Sequence, residues 1–224
     1  AAGARAMESK IDEIARALIA WGDDPGAFVR DALGVSPEPW QAEVLACIAG
    51  GERRVAVRSG HGVGKTALEA WLILWFGMTR EAAKIPATAP TAHQLNDLLW
   101  GEIAKWRRAL AERLPLLAEG IEITSDRVEF RPWRGTAFAR TSRREQTETL
   151  QGFHAEHLMF VIDEASGIDD RVFEVAEGAL STPGALIVMA GNPTRASGYF
   201  HRAFTRDRKR WWSRRVPCAE SARV

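Results

Sequence analysis

The chain has 224 residues, 46% of them hydrophobic, and its 30 lysines and arginines almost balance its 29 aspartates and glutamates. This length suits one α/β domain with appended segments, and such a domain buries a core without disulfides. A net charge of +1 excludes a uniformly basic nucleic-acid binder, so any basic surface must be local. Cys47 and Cys218 have no metal-ligand spacing, which argues against a zinc site or a disulfide scaffold and favours a reducing compartment.

The N-terminal part of the chain is predicted to be helical. Residues 1–6 are small apart from one arginine and precede the first methionine, so we interpret them as an expression-vector remnant. Residues 7–36 are predicted to form a helical segment, because apolar residues recur at helical spacing and Asp24 followed by Pro25 is typical of an N-cap with a first-turn proline. A further helix is predicted to follow and to carry Gln41.

The stretch RSGHGVGKTA joins a short apolar strand, predicted over 53–58, to an apolar helix predicted over 66–76. It matches the phosphate-loop pattern G-x-x-x-x-G-K-[ST] except at its first position, where serine replaces glycine. Glycines leave backbone N–H groups bare at the positive end of a helix dipole, which makes an anion site. The predicted phosphate-binding residues are Arg58, Ser59, Gly60, His61, Gly62, Val63 and Gly64.

Two further residues of this stretch have the side chains that a nucleotide site needs. Lys65 can reach the β and γ phosphates of ATP, and the hydroxyl of Thr66 can coordinate Mg²⁺. The alternative is a glycine-rich turn with a solvated lysine, and the strand before it and the helix after it disfavour that alternative.

The chain then alternates between strands and helices. We predict a strand over 84–90, a long helix over 91–113 that Thr91 caps, and a strand meander over 121–140. Continuous apolar runs at 157–163 and 185–190 are typical of parallel strands covered on both faces. The alternation predicts a doubly wound α/β fold. Together with the phosphate loop and the acidic motif described next, it leads us to expect a RecA-like P-loop NTPase, a three-layer sandwich around a mainly parallel sheet.

Polar residues follow the two buried apolar strands. In HLMFVIDEAS, Asp163 is predicted to hold Mg²⁺ and Glu164 to polarise the water that attacks the γ phosphate, which indicates hydrolysis rather than phosphoryl transfer. In ALIVMAGNPT, Asn192 follows the second strand and could sense the γ phosphate. An ordinary Gly-Asn-Pro turn explains Asn192 equally well.

The segment from Arg195 to Arg215 is strongly basic and includes Trp211 and Trp212. Such a segment can hold a phosphate backbone and stack on bases. We favour the alternative, in which the tryptophans close a lid onto the core while the arginines face water or another domain. The predicted division is therefore a P-loop ATPase core over 37–204 and a small basic lid or linker segment over 205–224.

With these motifs in order, the chain resembles the ATPase domain of the large terminase subunit, the motor that packages DNA in tailed bacteriophages. The resemblance covers 37–204 through PEPWQAEVL, RSGHGVGKTA, ATAPTAHQL, LQGFHAEHLMFVIDEAS and MAGNPTRASGYF. It implies ATP and Mg²⁺ as cofactors, adenine recognition by Gln41 and a coupling role for Asn192. It also implies an arginine that acts on the transferring phosphate, for which we favour Arg143 or Arg144 acting between subunits, with solvated loop arginines as an equal alternative.

The same resemblance implies partners and a location. These are double-stranded DNA, the portal protein, the small terminase subunit and a homo-oligomeric ring, with a monomer as the alternative for the isolated chain, in the cytoplasm of an infected bacterium and without a membrane. Terminases usually carry a nuclease domain after the ATPase, and because the sequence stops at Val224 we expect no nuclease activity from it. The rival interpretations are a superfamily 2 helicase fragment, which would need a second RecA-like core, and a nucleotide-binding switch or scaffold with little turnover, which Glu164 disfavours.

Overall fold

The fold is built on one eight-stranded sheet in a computed structural model that describes residues 2–142 and 155–221. The order across the sheet is β3-β4-β5-β2-β6-β7-β1-β8. The strands are β1 Arg54–Ser59, β2 Lys84–Ala89, β3 Ile121–Ile123, β4 Arg127–Phe130, β5 Gly135–Thr141, β6 Met159–Ile162, β7 Leu186–Gly191 and β8 Trp212–Val216. The helices are α1 Ala2–Asp23, α2 Pro25–Asp31, α3 Pro39–Ala49, α4 Lys65–Thr79, α5 Trp100–Arg113, α6 Pro115–Glu119, α7 Asp170–Ala179 and α8 Tyr199–Ala203.

The sheet is parallel from β5 to β8 and antiparallel only where β3 and β4 are added at one edge. One buried apolar cluster lies on the face that α4 covers, and a second lies on the face covered by α7 and α8. These three layers confirm the predicted α/β fold with a mainly parallel sheet.

Helix α4 follows the phosphate loop and is almost completely buried. It packs between the sheet and the helices α1, α2 and α5. Because protein surrounds it on all sides, its sequence is apolar around the whole helix rather than along one stripe. It gives the phosphate loop a rigid base.

Two predicted helix starts are confirmed in detail. The carboxylate of Asp24 accepts a hydrogen bond from the backbone N–H of Ala27 at 2.8 Å. The hydroxyl of Thr91 accepts one from the N–H of Gln94 at 3.2 Å. The helix after Thr91 differs from the prediction in one respect, because its first part, Gln94–Leu99, is a π-helix that leads into α5. In the described residues, no helix has both the length and the apolar character needed to cross a bilayer.

The basic C-terminal segment contains a strand that the sequence did not predict. Strand β8 pairs in parallel with β1 along its length, so β1 has a neighbour on each side. Trp211, just before it, is buried, and Trp212 packs against the first core cluster. Two consecutive arginines, Arg214 and Arg215, interrupt the apolar pattern of this strand and hid it from the sequence analysis. Arg214 pairs with Glu43 and Glu220.

Candidate functional site

The loop between β1 and α4 has a backbone that only glycine adopts easily. Gly62 and Gly64 have φ angles of 77° and 96°, in the left-handed region. A side chain at Gly60 would begin 2.5 Å from the Cys218 sulfur, so the close contact between the loop and the C-terminal segment requires glycine there. Ser59, at the irregular first position, is buried and donates its hydroxyl to the Gly60 carbonyl. Val63 is fully buried, so only its backbone can face a phosphate.

The Lys65 ammonium is held inside the loop. It donates to the Gly60 carbonyl at 2.7 Å and to the Ser59 hydroxyl at 3.3 Å, and the side chain is nearly buried. Its positive charge therefore lies at the centre of the curved loop. A phosphate oxygen in the loop would replace these neutral acceptors with a charged one, which makes a stronger hydrogen bond.

Asp163 and Glu164 follow β6 at its carboxyl end. Asp163 is 4% exposed, and its Oδ1 accepts the backbone N–H of Glu164 at 2.8 Å. Burial raises the pKa of Asp163 to about 6, and the neighbouring Glu164 carboxylate adds to the rise, while this N–H and the Lys65 ammonium oppose it. Because burial makes this carboxyl group costly to ionise, a cation bound beside it would stabilise its ionised form.

The structure adds Glu69, which the sequence analysis did not assign to the site. It lies four residues after Lys65, hence on the same face of α4, and it is fully buried with no hydrogen-bond partner for either oxygen among the described residues. Burial raises its pKa well above the usual value, and Asp163 and Glu164 add to the rise while Lys65 opposes it. The available signal was a single carboxylate in an otherwise apolar helix.

Asn192 connects the Glu164 carboxylate to the phosphate loop. Its backbone N–H donates to Oε2 of Glu164 at 3.3 Å, and its side-chain Nδ2 lies 3.0 Å from Nε2 of His61. Strand β7 brings it there through Gly191, where an added Cβ would lie 2.9 Å from the Ala165 nitrogen. Asn192 therefore contacts both parts of the site that the sequence predicted.

Gln41 lies beneath the phosphate loop rather than on its open side. It is fully buried. Its Oε1 accepts the backbone N–H of Glu38 at 2.9 Å, and its Nε2 donates to the Gly64 carbonyl at 3.1 Å. The side chain thus connects the start of α3 to the end of the loop.

A cavity of about 500 Å³ opens between the loop and α5. It is lined by His61, Gly62, Gly64, Lys65, Thr66, Ala67, His93, Gln94, Leu98, Glu102, Lys105, Asp163 and Glu164. Arg58 is directed elsewhere, with its guanidinium 5.0 Å from the centre of the Phe204 ring. Arg143 and Arg144 lie outside the described residues.

The donor set of this cavity fits Mg²⁺ that arrives together with a nucleotide. Thr66 supplies a hydroxyl and Asp163 a carboxylate to the same cavity. Within 2–142 and 155–221, no group of three or more histidine, cysteine, aspartate or glutamate side chains could hold a metal ion by itself. Two protein oxygens leave the remaining positions of an octahedral ion to phosphate oxygens and water.

The sequence has a curated relative in a phage. No protein-family profile matches the chain. The probable terminase large subunit of Enterobacteria phage P7 is 31% identical to it over 172 residues, which cover 75% of this chain and 35% of that protein. The chain thus spans about a third of the length of this relative.

The fold is similar to that of solved terminase structures. The HK97 bacteriophage large terminase superposes with a TM-score of 0.64 at 16% identity, covering 86% of this chain and 43% of that one. The large terminase of a thermophilic bacteriophage, in a complex with ADP, gives 0.63 at 14% identity over 80% and 45% of the two chains. The large terminase ATPase domain of Thermus phage P74-26 gives 0.58 at 20% identity over 78% and 72%. The comparisons confirm the resemblance to phage terminase large subunits, and the fold of this chain is the P-loop NTPase fold of their ATPase domains.

Proposed function

We propose that this chain hydrolyses ATP with Mg²⁺ and is the motor part of a terminase large subunit, in which hydrolysis drives the movement of double-stranded DNA. One observation carries the proposal: Lys65 at the end of the phosphate loop and the Asp163–Glu164 pair that follows β6 line the same cavity. A cation for phosphates and a carboxylate for water on one cavity are the parts that phosphoryl transfer to water needs.

The loop and its lysine would bind the phosphates of ATP. The backbone N–H groups of the loop and the start of α4 provide positive partial charges, and Lys65 adds a full one. Thr66 and Asp163 would hold the Mg²⁺, which neutralises charge on the phosphate oxygens when it is bound. The buried position of Asp163 excludes water from one side of that charge.

Glu164 would act as the general base toward the attacking water. Its carboxylate lines the cavity while the Asn192 N–H holds one of its oxygens at 3.3 Å. A hydrogen bond to one oxygen leaves the other available to accept a proton from water. The contact of Asn192 with His61 supports a role for Asn192 in transmitting a change at the phosphates to the segment after β7.

The finer parts of the proposal follow the resemblance. They are double-stranded DNA, the portal protein and the small terminase subunit as partners, a ring of identical subunits, action in the cytoplasm of the infected bacterium, and Arg143 or Arg144 as the arginine supplied between subunits. We further propose that residues 1–224 have no nuclease activity. If alanine at each of Arg143 and Arg144 left DNA-stimulated turnover intact, neither residue would be the arginine supplied between subunits.

The decisive experiment compares ATP hydrolysis by the wild-type chain and by Glu164→Gln, across protein concentrations and with or without double-stranded DNA. We expect Glu164→Gln to lower kcat by about 10²–10⁴-fold while the Kd for ATP stays within a few-fold, because a general base acts on the chemical step. Glu174→Gln, on an exposed position of α7, is the matched control and keeps its turnover. Tight ATP binding with equal, negligible turnover in all three proteins would instead favour a nucleotide-binding switch.

A further inference from the structure

The amide of Gln41 has its two ends on two different backbone groups. Gln41 is the third residue of α3, and its Oε1 completes a capping box with the N–H of Glu38. Its Nε2 crosses to the phosphate loop and donates to the Gly64 carbonyl. The side chain is 0% exposed, so neither end faces the cavity where a nucleotide would lie.

The contact with the Gly64 oxygen affects the backbone of the phosphate loop directly. It accepts the N–H of Leu68 at 3.2 Å as the first turn of α4, and it also accepts Gln41 Nε2. The C=O of Gly64 and the N–H of Lys65 belong to one planar trans peptide, in which they point in opposite directions. Two donors on the oxygen therefore fix the direction of the Lys65 N–H, which is one of the N–H groups at the start of α4.

Gly64 is also the residue at which the backbone is freest to turn. Its φ of 96° is available to glycine at little cost, and glycine has many alternatives to that conformation. With the Leu68 N–H as its one remaining donor, the Gly64 oxygen would hold its peptide less firmly, and the Lys65 N–H could turn away from the cavity. A buried amide on the neighbouring helix removes that freedom.

We propose that Gln41 is a positioning residue of the phosphate loop, which holds the Gly64–Lys65 peptide so that the Lys65 N–H faces the phosphates, and that it does not read the nucleobase. This inference rests on the proposed ATP site and replaces the adenine contact that the resemblance implied. A residue that discriminates bases must offer an exposed donor or acceptor edge to the base. Gln41 offers a buried amide whose two ends bind protein.

The test measures the Kd of three ligands for the wild-type chain and for Gln41→Met. The ligands are ATP, GTP and inorganic tripolyphosphate, measured by calorimetry, and methionine keeps the length of the side chain without its hydrogen bonds. We expect all three Kd values to rise by the same factor of about ten, which corresponds to about 1.4 kcal/mol. The ratio of the ATP and GTP constants stays at its wild-type value.

Two further variants separate positioning from a general loss of stability. Val44→Ala removes buried volume from the same helix and leaves the Gln41 amide in place, so we expect a lower Tm with unchanged Kd values. Gln41→Glu keeps the acceptor for the Glu38 N–H but sets a carboxylate oxygen against the Gly64 oxygen. We expect it to weaken all three ligands more than Gln41→Met does, and it serves in its place if the methionine variant does not fold.

The outcomes are distinct. A loss confined to ATP, with GTP and tripolyphosphate unchanged, overturns the inference in favour of base recognition. Unchanged constants for all three ligands in both Gln41 variants also overturn it. If the wild-type chain binds none of the three, the proposed function itself is wrong, and the inference is overturned together with it.

Discussion

Glu164 has a backbone conformation that is rare for its residue type. Its φ and ψ are both 46°, in the left-handed region. A non-glycine residue there costs about 1 kcal/mol, and such strain concentrates at functional sites. The contacts that hold it are the Asp163 carboxylate on its own N–H and the Asn192 N–H on its side chain.

We predict that Glu164→Gly increases the free energy of unfolding by about 1 kcal/mol relative to Glu164→Ala, because glycine relieves the left-handed strain and alanine keeps it. Both variants lose turnover, since neither has a carboxylate. Urea unfolding of the two proteins measures the difference. Equal stabilities would show that residue 164 is not strained when the substrate is absent.

The pH dependence of stability should reveal Glu69. Burial, together with Asp163, raises the pKa of Glu69 well above its ordinary value of 4.5, so the folded chain holds this proton more tightly than the unfolded chain does. The free energy of unfolding must therefore fall as the pH rises above about 4.5, by up to about 1.4 kcal/mol per pH unit from this group, until the folded carboxyl ionises.

Glu69→Gln removes this titration, so we predict a flatter pH profile and a higher free energy of unfolding than wild type at pH 7.5. Urea unfolding between pH 5 and 8.5 measures both. Glu8→Gln, at an exposed position of α1, is the control and should follow the wild-type profile. Parallel profiles for wild type and Glu69→Gln would mean that Glu69 has a partner in solution.

Single residues show where sequence reasoning reached its limit. The phosphate loop, Asp163 and Glu164 could be located because their motifs are local and lie between recognisable strands and helices. The direction of the Gln41 side chain could not, because a helix position does not tell which neighbour will cover it. Glu69 was missed because its importance comes from Asp163, which is distant in sequence and adjacent only after the sheet forms.

At the scale of elements, α4 was predicted from its apolar sequence, and its neighbours explain its single glycine, Gly77. An added Cβ at Gly77 would lie 2.3 Å from the ring of Phe130 in β4. The helix backbone at Gly77 therefore packs directly against the Phe130 ring at the antiparallel edge of the sheet. Strand β8 was not predicted because two consecutive arginines interrupt its apolar pattern. The π-helix was not predicted because it is defined by its hydrogen-bond register, which a sequence does not display.

We predict that Gly77→Ala destabilises the chain by about 1–3 kcal/mol, although alanine favours helices, because overpacking outweighs helix propensity. Gly101→Ala is the matched control on α5, where no atom lies within 4 Å of the added Cβ. There we expect a gain of up to about 1 kcal/mol. Thermal unfolding of both variants checks the signs, and a stabilising Gly77→Ala would contradict the packing described for α4.

At the scale of the whole molecule, the strand order brings the site together. Strand β1 lies between β7 and β8, and β6 is next to β7, so the carboxyl ends of β1, β6 and β7 meet at one edge of the sheet. The continuous apolar runs in the sequence predicted that these strands are parallel, and hence that their carboxyl ends lie together. They did not predict the order of the strands. The position of β8 beside β1 could not be predicted, because it depends on a pairing between segments that are distant in the sequence.

Because the site draws on several strands, its ligand should stabilise the entire chain. We predict that ATP at 100 times its Kd increases the free energy of unfolding of the wild-type chain by about 2.7 kcal/mol. Lys65→Ala should lose most of this gain, since the central positive charge is gone. Lys10→Ala, exposed on α1, should keep it. A ligand-induced rise in Tm that is equal in all three proteins would place the nucleotide elsewhere.

The absence of a side chain at Gly191 has a mechanical consequence. The end of β7 lies directly on the turn that carries Glu164, with backbone against backbone, since even one methyl group would come within 2.9 Å of the Ala165 nitrogen. Two surfaces in such contact transmit displacement without slack, because packed protein is close to incompressible. A shift of the Glu164 turn toward β7 would therefore move Asn192 and the chain beyond it by a similar distance.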